Sequence, residues 1–235
     1  MIQSPDYFTI NGVSSRTIPD IYVDTPSVPP MAQQRYTTYQ NGADEDGTSP
    51  DNTFENISYT LTFYTFYRTD FDNTDIYSFL ANAETLSISR LDGYYFKVRE
   101  VHPETPENVA RGRKIRYRIK FTLAPFRYFT DNPEITVSDG DVVKNSGTRY
   151  SRPVFKIVGN GDIKLNVNDE TFEVRGLDAS VETVIDSSRY ITYSVNDLFF
   201  NRTVGKYPFL AVGDNIVSWE GDVRSVKIVK NERCY

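Results

Sequence analysis

Residues 57–67 read Ile-Ser-Tyr-Thr-Leu-Thr-Phe-Tyr-Thr-Phe-Tyr, with apolar side chains at every second position. Ile57, Tyr59, Leu61 and Phe63 alternate with Ser58, Thr60 and Thr62. A period of two sends one set of side chains to each face of an extended chain, so the segment predicts a strand with one buried side. The pattern returns at 115–123, where Ile115, Tyr117, Ile119, Phe121 and Leu123 alternate with Arg116, Arg118, Lys120 and Thr122. Strands of this kind must pack their apolar faces on something, which points the chain to a mainly β architecture.

Short apolar runs and turn signals fill most of the rest. Phe8-Thr9-Ile10 runs into Asn11-Gly12, a hairpin dipeptide. Ile21–Val23, Leu86–Ile88 and Tyr94–Val101 read as further strands. Beyond Pro133 come seven short apolar segments, at 154–158, 163–167, 171–175, 181–186, 190–194, 216–219 and 224–229. Short strands at such close spacing predict a β-sandwich. One helix is expected, because Ile76, Phe79, Leu80 and Ala83 fall at i, i+3, i+4 and i+7. Asp72 to Asp75 would supply its cap and the negative charge that suits a helix start. Residues 41–53 lack apolar periodicity and read as loop. Pro125 and Pro133 bracket an expected boundary between an N-terminal β domain, 1–132, and a C-terminal β-sandwich, 133–235.

Charge and cysteine usage narrow the function classes. A net charge of -6 and a pI near 5.0 argue against holding nucleic acid through its phosphates. The 17 Tyr and 15 Phe suit packed sheet faces and protein interfaces. The single thiol, Cys234, can form neither an internal disulfide nor a cysteine metal cluster, as in a chain folded in a reducing compartment. No signal peptide is evident, and no apolar run reaches the ~18 residues of a membrane helix.

Residues suited to catalysis are sparse. The sole histidine, His102, precedes Pro103 in a charged segment and reads as a loop residue without a nucleophile to serve. No Gly-x-Ser-x-Gly elbow, P-loop or dinucleotide fingerprint occurs. Asp44, Glu45 and Asp46 are adjacent, whereas glycoside hydrolysis needs two carboxylates facing each other across a cleft. Asp44, Asp46, Thr48 and Glu55 stand at positions 1, 3, 5 and 12 of a calcium-loop count, but Ser49 occupies the position that requires glycine. No catalytic residue, cofactor or metal is therefore expected. Tyr190, Tyr193, Tyr207 and Trp219 could form a platform for stacking sugars, although Trp219 and Phe209 are expected in the core.

One ordered set of motifs is more specific. It starts with Asn145-Ser146-Gly147 and continues as Arg152-Pro153-Val154-Phe155-Lys156-Ile157-Val158-Gly159-Asn160-Gly161-Asp162-Ile163. It ends with Pro208-Phe209-Leu210, Gly213-Asp214-Asn215 and Ser218-Trp219-Glu220-Gly221. The order resembles the C-terminal half of the distal tail proteins of phages with long, non-contractile tails. Pro153, Gly159, Gly161, Pro208, Phe209, Leu210, Gly213 and Trp219 are the motif positions. The N-terminal half is similar to the same family at Phe8-Thr9-Ile10-Asn11-Gly12, Ser14-Ser15-Arg16, Pro29-Pro30 and Arg35. Gly42 to Gly47 departs from the family's pattern there.

The resemblance implies an N-terminal β domain with a β-hairpin and one short helix, which builds a six-subunit ring. It also implies a galectin-like C-terminal β-sandwich. Such a ring joins the tail tube protein to a tail-tip or tail-associated lysin protein and lets DNA pass without binding it. The place is then the virion tail tip of a chain made in the host cytoplasm, with a receptor-binding protein as a further partner and no enzyme activity. Residues 1–80 hold 11 acids and 3 bases, whereas 111–120 hold six bases and no acid. Ring closure needs two complementary patches per subunit. Asp44, Glu45 and Asp46 on one side, and Arg111, Arg113, Lys114, Arg116, Arg118 and Lys120 on the other, are the candidates. The alternative is a carbohydrate-binding, lectin-like module for attachment to a host cell wall.

Overall fold

The computed structural model describes residues 5–18, 20–40, 46–66, 74–111, 114–195, 197–199 and 201–235. The chain forms two compact units, Met1–Arg127 with Tyr235 and Tyr128–Cys234. The division falls between Pro125 and Pro133.

The first unit contains β1 (Phe8–Ile10), β2 (Val13–Ser14), β3 (Ile21–Val23), β4 (Gln34–Gln40), β5 (Asp46–Phe54) and β6 (Ile57–Phe66). After helix α1 (Thr74–Leu80) come β7 (Thr85–Ile88), β8 (Tyr94–Pro103), β9 (Glu107–Val109) and β10 (Lys114–Phe129), whose last two residues are counted with the second unit. The main sheet runs in the order β2-β1-β7-β8-β10-β6-β3. Its centre is the antiparallel pair β6 and β10, the two strands with the period-two pattern. Register sets Leu123 opposite Ile57, Phe121 opposite Tyr59, Ile119 opposite Leu61 and Tyr117 opposite Phe63. All eight are buried, and the Phe63 and Tyr117 rings stack at 5.1 Å. A one-residue slip of either strand would turn its four to solvent, so the buried face itself specifies the pairing.

The helix is shorter than its sequence pattern. Ile76 and Leu80 are buried and Phe79 packs beside them, but Ala83 donates to the Leu80 carbonyl in a turn rather than a further helical residue. Asp72 lies outside the described residues. A larger correction concerns 41–53, read as loop. Residues 46–54 form β5, paired with β4 in a separate antiparallel hairpin, with Thr48 opposite Thr38 and Asp46 opposite Gln40. A ladder is made of backbone groups, which polar residues and glycine also supply. Apolar periodicity marks only those strands that bury a face.

The second unit contains β11 (Glu134–Val137), β12 (Asp141–Asn145), β13 (Val154–Val167), β14 (Glu170–Leu177), β15 (Thr183–Asp186), β16 (Ile191–Ser194), β17 (Thr203–Gly205), β18 (Gly213–Val229) and β19 (Arg233–Cys234). The order is β11-β18-β13-β14-β17, with β12 on β18 and β15 on β13. Four of the expected short strands are two long ones: 154–158 and 163–167 join as β13, and 216–219 and 224–229 join as β18. They pair from Val154 opposite Val229 to Val167 opposite Val217, with register shifts at Val158/Gly159 and between Asn160 and Lys164. Glycine is required at those shifts. A Cβ on Gly159 would stand 2.7 Å from the Asp222 carbonyl oxygen, and one on Gly221 would stand 2.6 Å from that of Asp162. These bulges let one ribbon curl over a single core of Phe155, Ile157, Ile163, Leu165, Val217, Val226 and Ile228. At the end of the chain Tyr235 belongs with the first unit, where its ring meets those of Phe54 and Phe126 at 5.6 and 6.1 Å.

Candidate functional site

The motif residues of the second unit assemble two things, a buried polar knot and an exposed aromatic groove. The knot is centred on Asn215, which is fully buried. Its Oδ1 accepts from the Ala211 amide at 2.7 Å and from Asn168 Nδ2 at 2.9 Å. Its Nδ2 faces the carbonyls of Ala211 at 2.9 Å, Gly213 at 3.0 Å and Val143 at 3.3 Å. Asn145 does similar service, donating to the Arg149 and Leu210 carbonyls at 3.0 and 3.1 Å and accepting from Gly147 at 3.0 Å. Loop backbone enclosed in a core has no ladder partner, and the two amides replace one.

The groove grows from that knot. Ser151 and Leu210 exchange two backbone hydrogen bonds, at 2.8 and 3.1 Å, and both are buried. Strand alternation then turns their neighbours Tyr150, Arg152 and Phe209 the other way. Tyr207 follows Gly205, whose φ is 106° and whose missing Cβ allows the Thr171 carbonyl to approach within 2.5 Å of where it would stand. Tyr190 ends a turn fixed by Asp186, whose Oδ1 accepts from the amides of Ser188 and Arg189. Tyr190 itself has φ 57°, a left-handed conformation that is uncommon for a bulky residue, and its ring is about half exposed. The Tyr190 and Tyr207 rings meet edge to face at 5.7 Å. The Arg152 guanidinium lies 4.6 Å from the centre of the Tyr190 ring. Together with Ser187, Lys206 and Pro208 these residues enclose a cavity of about 480 Å³. Burial alone would raise the Tyr150 phenol, but hydrogen bonds and charge from Arg233 and Arg152 outweigh it and hold the group below its ordinary value.

Of the four residues expected as a sugar platform, Tyr190 and Tyr207 meet at the groove. Tyr193 and Trp219 do not line it, and Trp219 is a half-buried margin of the core. Phe209 corrects a second expectation: it is 39% exposed and lines the groove, while Leu210 and Pro208 are the buried plug. Tyr150, Arg152 and Ser187 were not singled out, because the Ser151–Leu210 pairing that brings them in spans a long stretch of chain.

The basic strand of the first unit is partly neutralised by its own subunit. Arg116 and Arg118 lie 3.4 and 3.0 Å from the Glu107 carboxylate, and Arg118 lies 4.0 Å from Glu104. The Lys114 ammonium is 5.4 Å from the centre of the Phe66 ring. Arg111 sits in a turn with φ 59°, and Lys120 is exposed opposite Thr60. Asp44, Glu45 and Arg113 lie outside the described residues, and Asp46 opens β5. His102 is exposed, 3.2 Å from Glu100. Hydrogen bonds from His102 and then Thr122 hold the Glu100 carboxyl below its ordinary value. Among the described residues no group of three or more His, Cys, Asp or Glu is placed to hold a metal. No helix among them is long and apolar enough to cross a membrane, which says nothing of membrane β-barrels.

No protein-family model and no curated protein matches the chain. Among solved structures it is similar to the Dit protein of phage SPP1, described as a paradigm of the hub adsorption apparatus in phages that infect Gram-positive bacteria. The likeness covers 97% of this chain and 98% of that one, with a TM-score of 0.60 and 12% identity. Both units take part, and the chain has a mainly β, Dit-like fold over nearly its whole length.

Proposed function

We propose that this protein is the structural hub of a phage tail tip. It forms a six-subunit ring that joins the tail tube protein to the tail-tip or tail-associated lysin protein and lets DNA pass. The observation that carries the reading is the likeness to a hub adsorption protein across both units and almost all of both chains. The role is architectural and assigns catalysis to no residue. A net charge of -6 suits a channel that must not hold phosphates. The channel itself is left to assembly, and a receptor-binding protein is a further partner.

Light scattering on the purified chain, with negative-stain images of the same peak, tests this. Six-fold rings, or a concentration-dependent climb to a hexamer, are expected. A strict monomer at every concentration, with the tail tube protein added as well, overturns the reading.

The basic strand gives a sharper version. In the variant carrying both Arg116→Glu and Arg118→Glu, ring formation is expected to be lost while the melting transition stays near that of the parent. The Glu107 pairs it breaks are partly exposed and at the surface, and such pairs contribute about 0–1 kcal/mol. Rings of normal size from the double variant would remove this strand from the subunit interface.

A further inference from the structure

The second unit carries the aromatic groove around Tyr190, Tyr207 and Phe209. We propose that it binds a saccharide bearing an anionic substituent, a carboxylate or a phosphate. The inference rests on this unit alone and not on the hub reading.

Volume comes first. At about 480 Å³ the cavity lies within the roughly 300–1,000 Å³ of small-molecule sites. Its walls are rings rather than aliphatic side chains: Tyr190 and Tyr207 stand at 87° to each other, and Phe209 meets Tyr150 edge-on at 5.8 Å. Ring faces carry partial negative charge and ring edges partial positive charge. The C–H face of a pyranose is complementary to such a ring face, while its hydroxyls require polar partners around the rim. The wall behind the rings is also polar. Ser187 is only 1% exposed, lines the cavity, and its hydroxyl has no hydrogen-bond partner in the protein. A buried hydroxyl left without a partner is costly, which marks this wall as a place where the fold is not optimised for packing alone.

Charge then selects the kind of sugar. Arg152 and Lys206 line the cavity, and no aspartate or glutamate does. The Arg152 guanidinium is stacked on Tyr190 and reaches the Tyr150 phenol, but it has no carboxylate partner among the described residues, so its positive charge is not neutralised and can meet an oxyanion. Lys206 is 82% exposed, with only a long 3.7 Å contact to Glu170. The left-handed backbone of Tyr190 adds a structural reason. The fold bears local strain at the residue whose ring it holds half in solvent, a combination more often found where a ligand is met than where a surface is merely covered.

An acidic peptide is the competing occupant. Extended peptides bind by adding a strand to a free sheet edge. The strand at this groove, β17, has three residues, a short template for such pairing. Recognition by ring faces and two cations fits a compact ring-shaped ligand better.

Saturation-transfer NMR on the full chain, with glucuronic acid, glucose 6-phosphate and glucose as probes, tests the proposal. At least one of the two anionic sugars is expected to bind about tenfold or more tighter than glucose, since a charge-assisted bidentate contact is worth at least that factor. Whichever binds tighter identifies carboxylate or phosphate as the anion. Arg152→Ala and Tyr190→Ala should each weaken binding about tenfold, and Tyr190→Phe should leave it within about twofold, because the ring face and not the hydroxyl is used. Lys206→Ala, at an exposed site that cannot disturb the fold, should weaken the anionic sugars and leave glucose unchanged. Equal binding of glucose and the acids, no transfer to either acid, indifference to Arg152→Ala and Lys206→Ala, or displacement of the sugars by a hexaglutamate peptide would each overturn it.

Discussion

Replacing Asn215 with leucine lowers the unfolding free energy of the second unit by about 3 kcal/mol, read from urea denaturation through the fluorescence of Trp219, the only tryptophan. Leucine is close in size and apolar, so hydrophobic burial predicts a neutral or favourable change. Hydrogen bonding predicts the opposite. The substitution strands the Ala211 amide and removes the donor facing the Ala211, Gly213 and Val143 carbonyls, while the exposed Asn168 side chain can turn to water. Each group left unsatisfied in a buried site costs about 1–3 kcal/mol. Relaxation and water entry recover part of that, which leaves the figure above. Asn215→Asp keeps the shape and the acceptor but turns a donor into a carboxylate facing carbonyls, and should cost as much or more. A loss below about 0.5 kcal/mol for the leucine variant would mean the knot is satisfied by other means.

Gly221→Ala should be as damaging, at about 3 kcal/mol, and for a different cause. The residue has φ 107°, and its added methyl would stand 2.6 Å from the Asp162 carbonyl oxygen and 3.2 Å from Ile163. That neighbour is backbone within a paired strand, so it cannot swing aside. Gly161→Ala is the control. Gly161 also has positive φ, 72°, but open space where a Cβ would stand, so only the conformational strain of about 1–2 kcal/mol applies. The difference between the two urea midpoints isolates the steric part. Equal midpoints would show that the crossing of the two strands adjusts freely.

What was legible in the sequence follows the same physics. Strands β6 and β10 were readable because each buries one face, and burial is what writes a period of two into a sequence. Strand β5 was not, since its partner is another strand segment and its pairing is a matter of backbone. The four short strands that turned out to be two were split at Gly159–Gly161 and Gly221, where glycine signals a turn and a bulge alike. Phe209 was expected inward because Pro208-Phe209-Leu210 is uniformly apolar, and only the pairing of Leu210 with Ser151 decides which of the three faces solvent. Tyr190 and Tyr207 could be singled out as aromatic, but Arg152 and Ser187 join them through contacts distant in sequence. The basic run at 111–120 was plain, whereas its partner Glu107 lies just outside it and is brought across by the β9–β10 pairing.

The long ribbon of β13 and β18 also poses a question of registration. Sliding one strand past the other by two residues would keep every inward side chain inward, so the core alone would accept several alignments. Gly159 and Gly221 would not. Each must stand where the opposing main chain comes closest, and only one alignment places both there at once. The two glycines thus act as a key cut for a single position. They exclude the near-miss folds that hydrophobicity by itself would leave open.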